Sequence, residues 1–172
     1  MNLQELDVKL GDVLLPYQKK WLADKSPVKV IEKSRRIGLT WAQALDDVLT
    51  AATSGREGMD VMYISFNQDM TREYIDACGE WAKKLQLVAS HANEEVFRDG
   101  DERGIKAFRI DFASGHKIVA LSSRPSNLRG KQGRVIIDEA AFVDDLPELL
   151  KAALALLMWG GQVIVISTHN GA

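Results

Sequence analysis

Short β-branched runs alternate with stretches of helical periodicity along this chain. That alternation restricts it to an α/β fold built on a mainly parallel sheet. Residues 28–32 read as a first strand behind Pro27. Across residues 39–53, Trp41, Ala44, Leu45, Val48, Leu49 and Ala52 recur at helical spacing, and Gly55 and Gly58 close the unit. Residues 61–65 read as a second strand. Asn67 then predicts the cap of a helix with the apolar stripe Met70, Tyr74, Ala77, Trp81, Leu85 and Val88. The charged stretch 90–104 reads as an exposed connection, and residues 108–112 and 118–121 as a hairpin. Residues 135–137 form a fourth apolar run. Asp145 is the expected cap of a helix that tolerates Pro147 in its first turn and reaches Met158. Gly160 and Gly161 break that helix before a last strand at 163–166. Each predicted strand runs into polar residues, the edge where open α/β sheets hold ligands.

Size and charge set bounds on function. A chain of 172 residues is long enough for one domain with a real core. Its 22 basic residues against 24 acidic ones leave no overall basic surface for nucleic acid, so any grip on DNA falls to a local patch. Cys78 is the only cysteine, which excludes an intrachain disulfide and a cysteine-rich metal site and fits a reducing, cytoplasmic setting. The N-terminal residues lack the apolar run of a signal peptide or membrane span. Because the sequence stops just where a buried strand delivers a loop, residues 1–172 read as part of one domain within a longer protein.

Between the first strand and the first long helix stands Lys33-Ser34-Arg35-Arg36-Ile37-Gly38-Leu39-Thr40. The usual phosphate loop, GxxxxGK[ST], cradles phosphates with its amides, reaches the β and γ oxygens with its lysine and holds Mg²⁺ with its hydroxyl. Here Gly38 and Thr40 stand in register, but Leu39 replaces the lysine and Lys33 replaces the first glycine. Lys33, at the mouth of the loop, can bring its ammonium to the same phosphates, and Arg35 and Arg36 add fixed positive charge. Taken alone, the stretch reads equally as a basic strand-to-helix turn without a ligand.

Arg134-Val135-Ile136-Ile137-Asp138-Glu139 is a sharper signal. An apolar strand that ends in two acids points to Asp138 on a metal ion and Glu139 as the base that orients the attacking water. The competing reading, two acids capping the next helix, weakens once a phosphate-loop-like turn lies upstream. Ser167 and Thr168, directly after the last strand, supply hydroxyls suited to sensing a γ-phosphate or to a plain turn. Gln18, beside Tyr17, has the amide needed to read an adenine edge, although helix-start packing accounts for it as well. His169 reads as a loop residue. The basic run Arg124-Pro125-Ser126-Asn127-Leu128-Arg129-Gly130-Lys131 is a solvated loop or the source of an arginine finger.

As an ordered set these motifs resemble the phage terminase large subunits, in the branch of Mu-like phages and prophages. LPYQKKWL resembles the family's adenine motif, KSRRIGLT its deviant phosphate loop, NLRGKQGRVIIDEAAF its acidic strand and ISTHN its coupling motif. The resemblance implies a three-layer P-loop NTPase fold of the additional-strand type, with the strand ending at Ser167 between the phosphate-loop strand and the Asp138 strand. It implies Mg²⁺-dependent ATP hydrolysis, with Tyr17, Gln18 and residues 33–40 on the nucleotide, Thr40 and Asp138 on the metal, Lys33 and Glu139 catalytic, and Ser167 and Thr168 sensing the γ-phosphate. It also implies a motor that drives double-stranded DNA into a procapsid as a homo-oligomeric ring on a portal protein, with a small terminase subunit as partner. Arg129, with Arg124 second, is the expected finger contributed to a neighbouring subunit. The family's nuclease domain lies outside this chain, which alone is expected to be monomeric and not to cut DNA. A helicase-type ATPase is the nearest rival, but those enzymes keep the lysine that Leu39 replaces. A degenerate, non-hydrolysing nucleotide-binding module is the other alternative.

Overall fold

The computed structural model describes residues 13–85, 93–97 and 105–171, with only the backbone described at 93–97 and 105–107. Seven strands form one sheet: β1 (Val28–Lys33), β2 (Val61–Ile64), β3 (Asn93–Phe97), β4 (Ile105–Asp111), β5 (Lys117–Leu121), β6 (Arg134–Asp138) and β7 (Gln162–Thr168). Their order across the sheet is β1-β7-β6-β2-β5-β4-β3. The first five in that order pair in parallel, while β4 and β3 extend the sheet antiparallel. The additional strand is therefore where expected: β7 separates β1 from β6.

Four α-helices accompany the sheet among the described residues: α1 (Pro16–Ala23), α2 (Leu39–Ala52), α3 (Gln68–Lys84) and α4 (Leu146–Leu154). Alternation along the strands sorts the core into two halves. Val61, Tyr63, Ile118, Ala120, Ile136 and Ile164 face a cluster that includes Leu45 and Val48 of α2 and Tyr74 and Trp81 of α3. Met62, Ile64, Val119, Val135, Ile137 and Val163 face the other way, onto Leu149 and Ala153 of α4. Three layers result. Each central strand is apolar on both faces because both are covered, and each buried Ile or Val contributes about 1.5–3 kcal/mol. No described helix is long and apolar enough to cross a membrane.

Three expectations need correction. The stretch 90–104 is not only a connection, because residues 93–97 form the edge strand β3 on β4. Ser167 and Thr168 do not follow the last strand. They are its final two residues, opposite Glu32 and Lys33 of β1. Asp145 occupies the position before α4 but its side chain caps nothing, and the helix ends at Leu154, continued to Trp159 by a 3-10 turn. By contrast, the Asn67 side chain does cap α3, accepting from the Met70 amide at 2.9 Å. Val88 of the proposed stripe lies outside the described residues.

One glycine fixes how β6 enters the sheet. Gly133 has φ +123°, and a Cβ there would lie 2.2 Å from the Asp60 carbonyl oxygen. Only glycine lets the chain pass so close to the start of β2.

Candidate nucleotide-binding site

The C-terminal ends of β1, β6 and β7 lie side by side and deliver their functional groups to one place. Lys33, the last residue of β1, donates from Nζ to Glu139 Oε1 at 2.9 Å. Thr168, the last residue of β7, donates to Glu139 Oε2 from its hydroxyl at 2.7 Å and from its amide at 3.2 Å. Thr40, in the first turn of α2, donates to Asp138 Oδ2 at 2.8 Å. The two acids thus separate by task. Glu139 meets the lysine, and Asp138 meets the hydroxyl.

Glu139 is held there by unusual backbone. Its φ of 50° and ψ of 44° are left-handed, a region that costs a non-glycine residue on the order of 1–3 kcal/mol. Its amide donates to Asp138 Oδ1 at 2.9 Å, which stabilises the turn. The loop beyond is tied down by β7 and the residues after it: the Ala141 amide donates to Ser167 Oγ at 3.0 Å, and Asn170 Nδ2 to the Ala141 carbonyl at 2.7 Å. Strain at a position this well braced favours a chemical role over a packing one.

The phosphate loop spans Ser34 to Gly38. Arg36 and Gly38 both take positive φ, of 58° and 72°. Alternating backbone hands of this kind gather amide N–H groups into an anion-binding concavity, here at the N-terminus of the fourteen-residue α2. Ser34, Arg35 and Arg36 are exposed. Leu39 is 1 % exposed and packs into the core while edging the same cleft, and it carries no charge for a phosphate. The loop borders a cleft of about 520 Å³ lined by Lys33, Arg35, Arg36, Thr40, Glu139 and Thr168, among others.

Electrostatics distinguish the two carboxylates. Burial pushes Glu139 up, but hydrogen bonds from Thr168 and Lys33 outweigh it and hold the carboxyl below its ordinary range, ionised and able to accept a proton. Burial dominates at Asp138, which stays above its ordinary range despite donors from Thr40 and Tyr63. A nearby cation would reverse that balance. Thr40 and Asp138 are hard oxygen donors at hydrogen-bond distance, and no cluster of three His, Cys, Asp or Glu occurs among the described residues. That sparse donor set fits Mg²⁺, which keeps several waters and binds through one or two protein ligands plus phosphate oxygens, better than an all-protein cage.

Other predicted residues take different positions. Gln18 is buried beneath the loop. Its Oε1 accepts from the Leu15 amide at 2.9 Å and its Nε2 donates to the Gly38 carbonyl at 2.9 Å, so the amide faces backbone on both sides. Tyr17 donates its hydroxyl to the Ile37 carbonyl. Both residues brace the loop from below. Arg129 is exposed and is absent from the phosphate cleft. It lines a separate cleft of about 640 Å³ with Lys131, Lys151 and Trp159. Gly130 and Lys131 lie beside Asp60 and Val61, at the start of β2. Arg129 therefore sits at the opposite end of β6 from Glu139, a strand's length of ~13 Å or more away. Arg124, also exposed, follows β5 closely.

Two groups escaped sequence reasoning. Tyr63, read only as part of a buried strand, donates to Asp138 Oδ2 at 2.9 Å. Arg134, read as the opening of the acidic strand, is buried and pairs with Asp46 at 2.9 Å and Asp47 at 2.8 Å on α2. The adjacent acids in α2 were the available signal for the second, since two charges there are hard to place on an otherwise apolar helix.

No protein-family model matches the chain. It is 58% identical over 160 residues to the Mu-like prophage FluMu protein gp28 of Haemophilus influenzae, covering 92% of this chain and 31% of the relative. It is 53% identical over 174 residues to a protein of Escherichia phage Mu named "Probable terminase, large subunit gp28", covering 99% and 32%. The chain thus spans about a third of the relatives it matches. Among solved structures, the large terminase ATPase domain of Thermus phage P74-26 superposes with a TM-score of 0.63 at 19% identity, over 92% of this chain and 66% of that one. The large terminase of a second thermophilic bacteriophage, in complex with ATP-gamma-S, gives 0.57 at 14% identity, over 88% and 37%. At those identities the structures establish a common fold.

Proposed function

We propose that this chain, similar to about a third of the length of two gp28 proteins of Mu-like phages, is part of a terminase large subunit that binds ATP with Mg²⁺ and hydrolyses it as the motor of DNA packaging. The observation that carries the reading is the Lys33–Glu139–Thr168 cluster at the ends of three adjacent strands, beside the Thr40–Asp138 pair. A thermophilic-phage terminase with this fold was solved with ATP-gamma-S, which supports nucleotide as the ligand.

Each residue has a role that its position allows. The amides of Ser34 to Gly38 receive the phosphates, and Arg35 and Arg36 balance their charge. Lys33 exchanges its bond to Glu139 for one to a γ-phosphate oxygen, which frees the Glu139 carboxylate to accept a proton from the attacking water. Thr40 and Asp138 would hold Mg²⁺, which would supply positive charge against the charge that develops on the phosphate oxygens. Thr168 keeps Glu139 aimed, and Ser167 keeps the following loop in place, so both hydroxyls sense whether the γ-phosphate has drawn Lys33 away. Tyr17 and Gln18 support the loop under the nucleotide; reading adenine requires Gln18 to release one backbone partner.

Arg129 faces away from its own phosphate cleft, which suits a finger offered to the neighbouring subunit of a homo-oligomeric ring. Within the whole protein this ATPase would drive double-stranded DNA into a procapsid through a portal protein, with a small terminase subunit as partner, in the host cytoplasm. The test is a titration of ATPγS followed by tryptophan fluorescence, since Trp41 lines the cleft. Binding that strengthens with Mg²⁺ and weakens in Lys33→Ala supports the reading. Absence of binding would refute a nucleotide site in this cleft.

A further inference from the structure

A buried chain of side chains connects the proposed metal ligand to the far end of the same strand, and it begins at Tyr63. Its hydroxyl donates to Asp138 Oδ2 at 2.9 Å. Its ring lies flat on the Tyr74 ring of α3, with centroids 3.7 Å apart and planes 7° apart. The Tyr74 hydroxyl donates to Asp47 Oδ2 at 2.7 Å, and Asp47 Oδ1 accepts from Arg134 at 2.8 Å, at the start of β6. Tyr63 is fully buried and Tyr74 nearly so. Packing alone does not call for a hydroxyl on Tyr63. A phenylalanine would fill the same space and spare a buried polar group, which costs about 1–3 kcal/mol when unpaired. The hydroxyl is satisfied by Asp138, with Ser65 as a second neighbour.

Resting on the functional reading above, we propose that Tyr63 is a positioning residue for the Mg²⁺ site, acting through Asp138. Asp138 Oδ1 is taken by the Glu139 amide, and Oδ2 accepts from both Thr40 and Tyr63. Once the Thr40 hydroxyl turns to a metal ion, Tyr63 is the one side chain among the described residues still holding Oδ2. An ionised carboxylate oxygen has two acceptor sites. The Tyr63 bond occupies one and leaves the other free in a fixed direction. The stack on Tyr74 fixes the phenol in turn, and with it the direction from which Oδ2 is held. Groups that orient a metal ligand in this way typically affect metal affinity by about 10–100-fold.

The experiment uses the parent protein, Tyr63→Phe and Tyr74→Phe. ATPγS affinity is measured across a Mg²⁺ series, with a thermal melt of each protein. Tyr63→Phe is expected to raise the Mg²⁺ concentration for half of the affinity gain by about 10-fold or more. The ATPγS affinity of each protein without Mg²⁺ is the reference from which its own shift is read. Tyr74→Phe keeps the stack and should leave the Mg²⁺ midpoint at the parent's value. An unchanged midpoint in Tyr63→Phe overturns the role. So does an equal shift in Tyr74→Phe, or loss of a cooperative melt in Tyr63→Phe, since either would make Tyr63 a core residue only. A parent whose ATPγS affinity ignores Mg²⁺ overturns the proposed function and this role with it. A parent that responds while Tyr63→Phe responds identically overturns the role alone.

Discussion

Arg134→Met should destabilise the fold severely while leaving every phosphate-cleft residue in place. Arg134 is 4 % exposed and bonds three residues on two elements: Gln162 of β7 at 2.7 Å, and Asp46 and Asp47 of α2. Methionine matches its stem in volume but removes the charge. Asp46 retains Lys25 at 3.0 Å. Asp47, fully buried, retains only neutral donors, Gln43 and Tyr74. Removing one partner of a buried pair costs about 3–5 kcal/mol, because the other charge is left uncompensated. For a chain of this size that lowers the melting temperature by about 6–20 °C. The pH dependence has a definite sign. Burial already raises the Asp47 carboxyl despite the attraction of Arg134, and losing the arginine raises it further. A carboxyl with a folded pKa above its unfolded value destabilises as pH rises, so the deficit should be larger at about pH 8 than at about pH 5. Adding Asp47→Asn should recover part of the loss, because both charges are then gone. Differential scanning calorimetry of the parent, single and double variants checks this. A shift below about 2 °C, or a double variant less stable than Arg134→Met, would refute the assignment of Arg134 as the counter-ion of Asp47.

Lys33→Ala should weaken ATP binding or turnover far more than Leu39→Ala, measured on the same nucleotide. Leu39→Ala should instead cost about 2–5 kcal/mol of stability in a melt, since Leu39 is a core side chain. Gln18→Ala should loosen the loop and weaken ATP and GTP binding alike, because its amide is spent on Leu15 and Gly38; competition binding in which only the ATP preference is lost would show instead that it reads adenine. Arg129→Ala should leave nucleotide binding in the isolated chain unchanged yet silence the full-length motor. Mixed with active subunits it should poison rings more than in proportion to its share, and a strictly proportional loss would place it outside the neighbour's site.

Much of this arrangement was legible in the sequence because phosphate chemistry is written in short local patterns. A glycine-containing turn between strand and helix, and an apolar strand that ends in two acids, announce themselves within eight residues. The alternation of apolar runs likewise marked the parallel strands, since each is covered on both faces and reads as uninterrupted hydrophobe. The edge strand β3 was not legible for the converse reason. Residues 93–97 pair at the sheet margin, where backbone hydrogen bonds suffice and no alternation is imposed. Longer-range partnerships were also hidden. Asp46 and Asp47 resemble a solvated helix face until Arg134, 87 residues beyond Asp47, is brought against them. Gln18 carried a recognisable amide, but no sequence pattern tells whether such a group faces a ligand or its own backbone.

The central claim is that Glu139 is the base of an ATP-hydrolysing site that Lys33 and Asp138 build around the phosphates. Single-turnover hydrolysis of γ-labelled ATP, compared between the parent and Glu139→Gln at nucleotide concentrations that saturate both, tests it most directly. Binding should be equal, and hydrolysis slower by about 10²–10⁴ in the variant, since the metal ligand and lysine remain while the base is lost. Equal rates in the two proteins would contradict it.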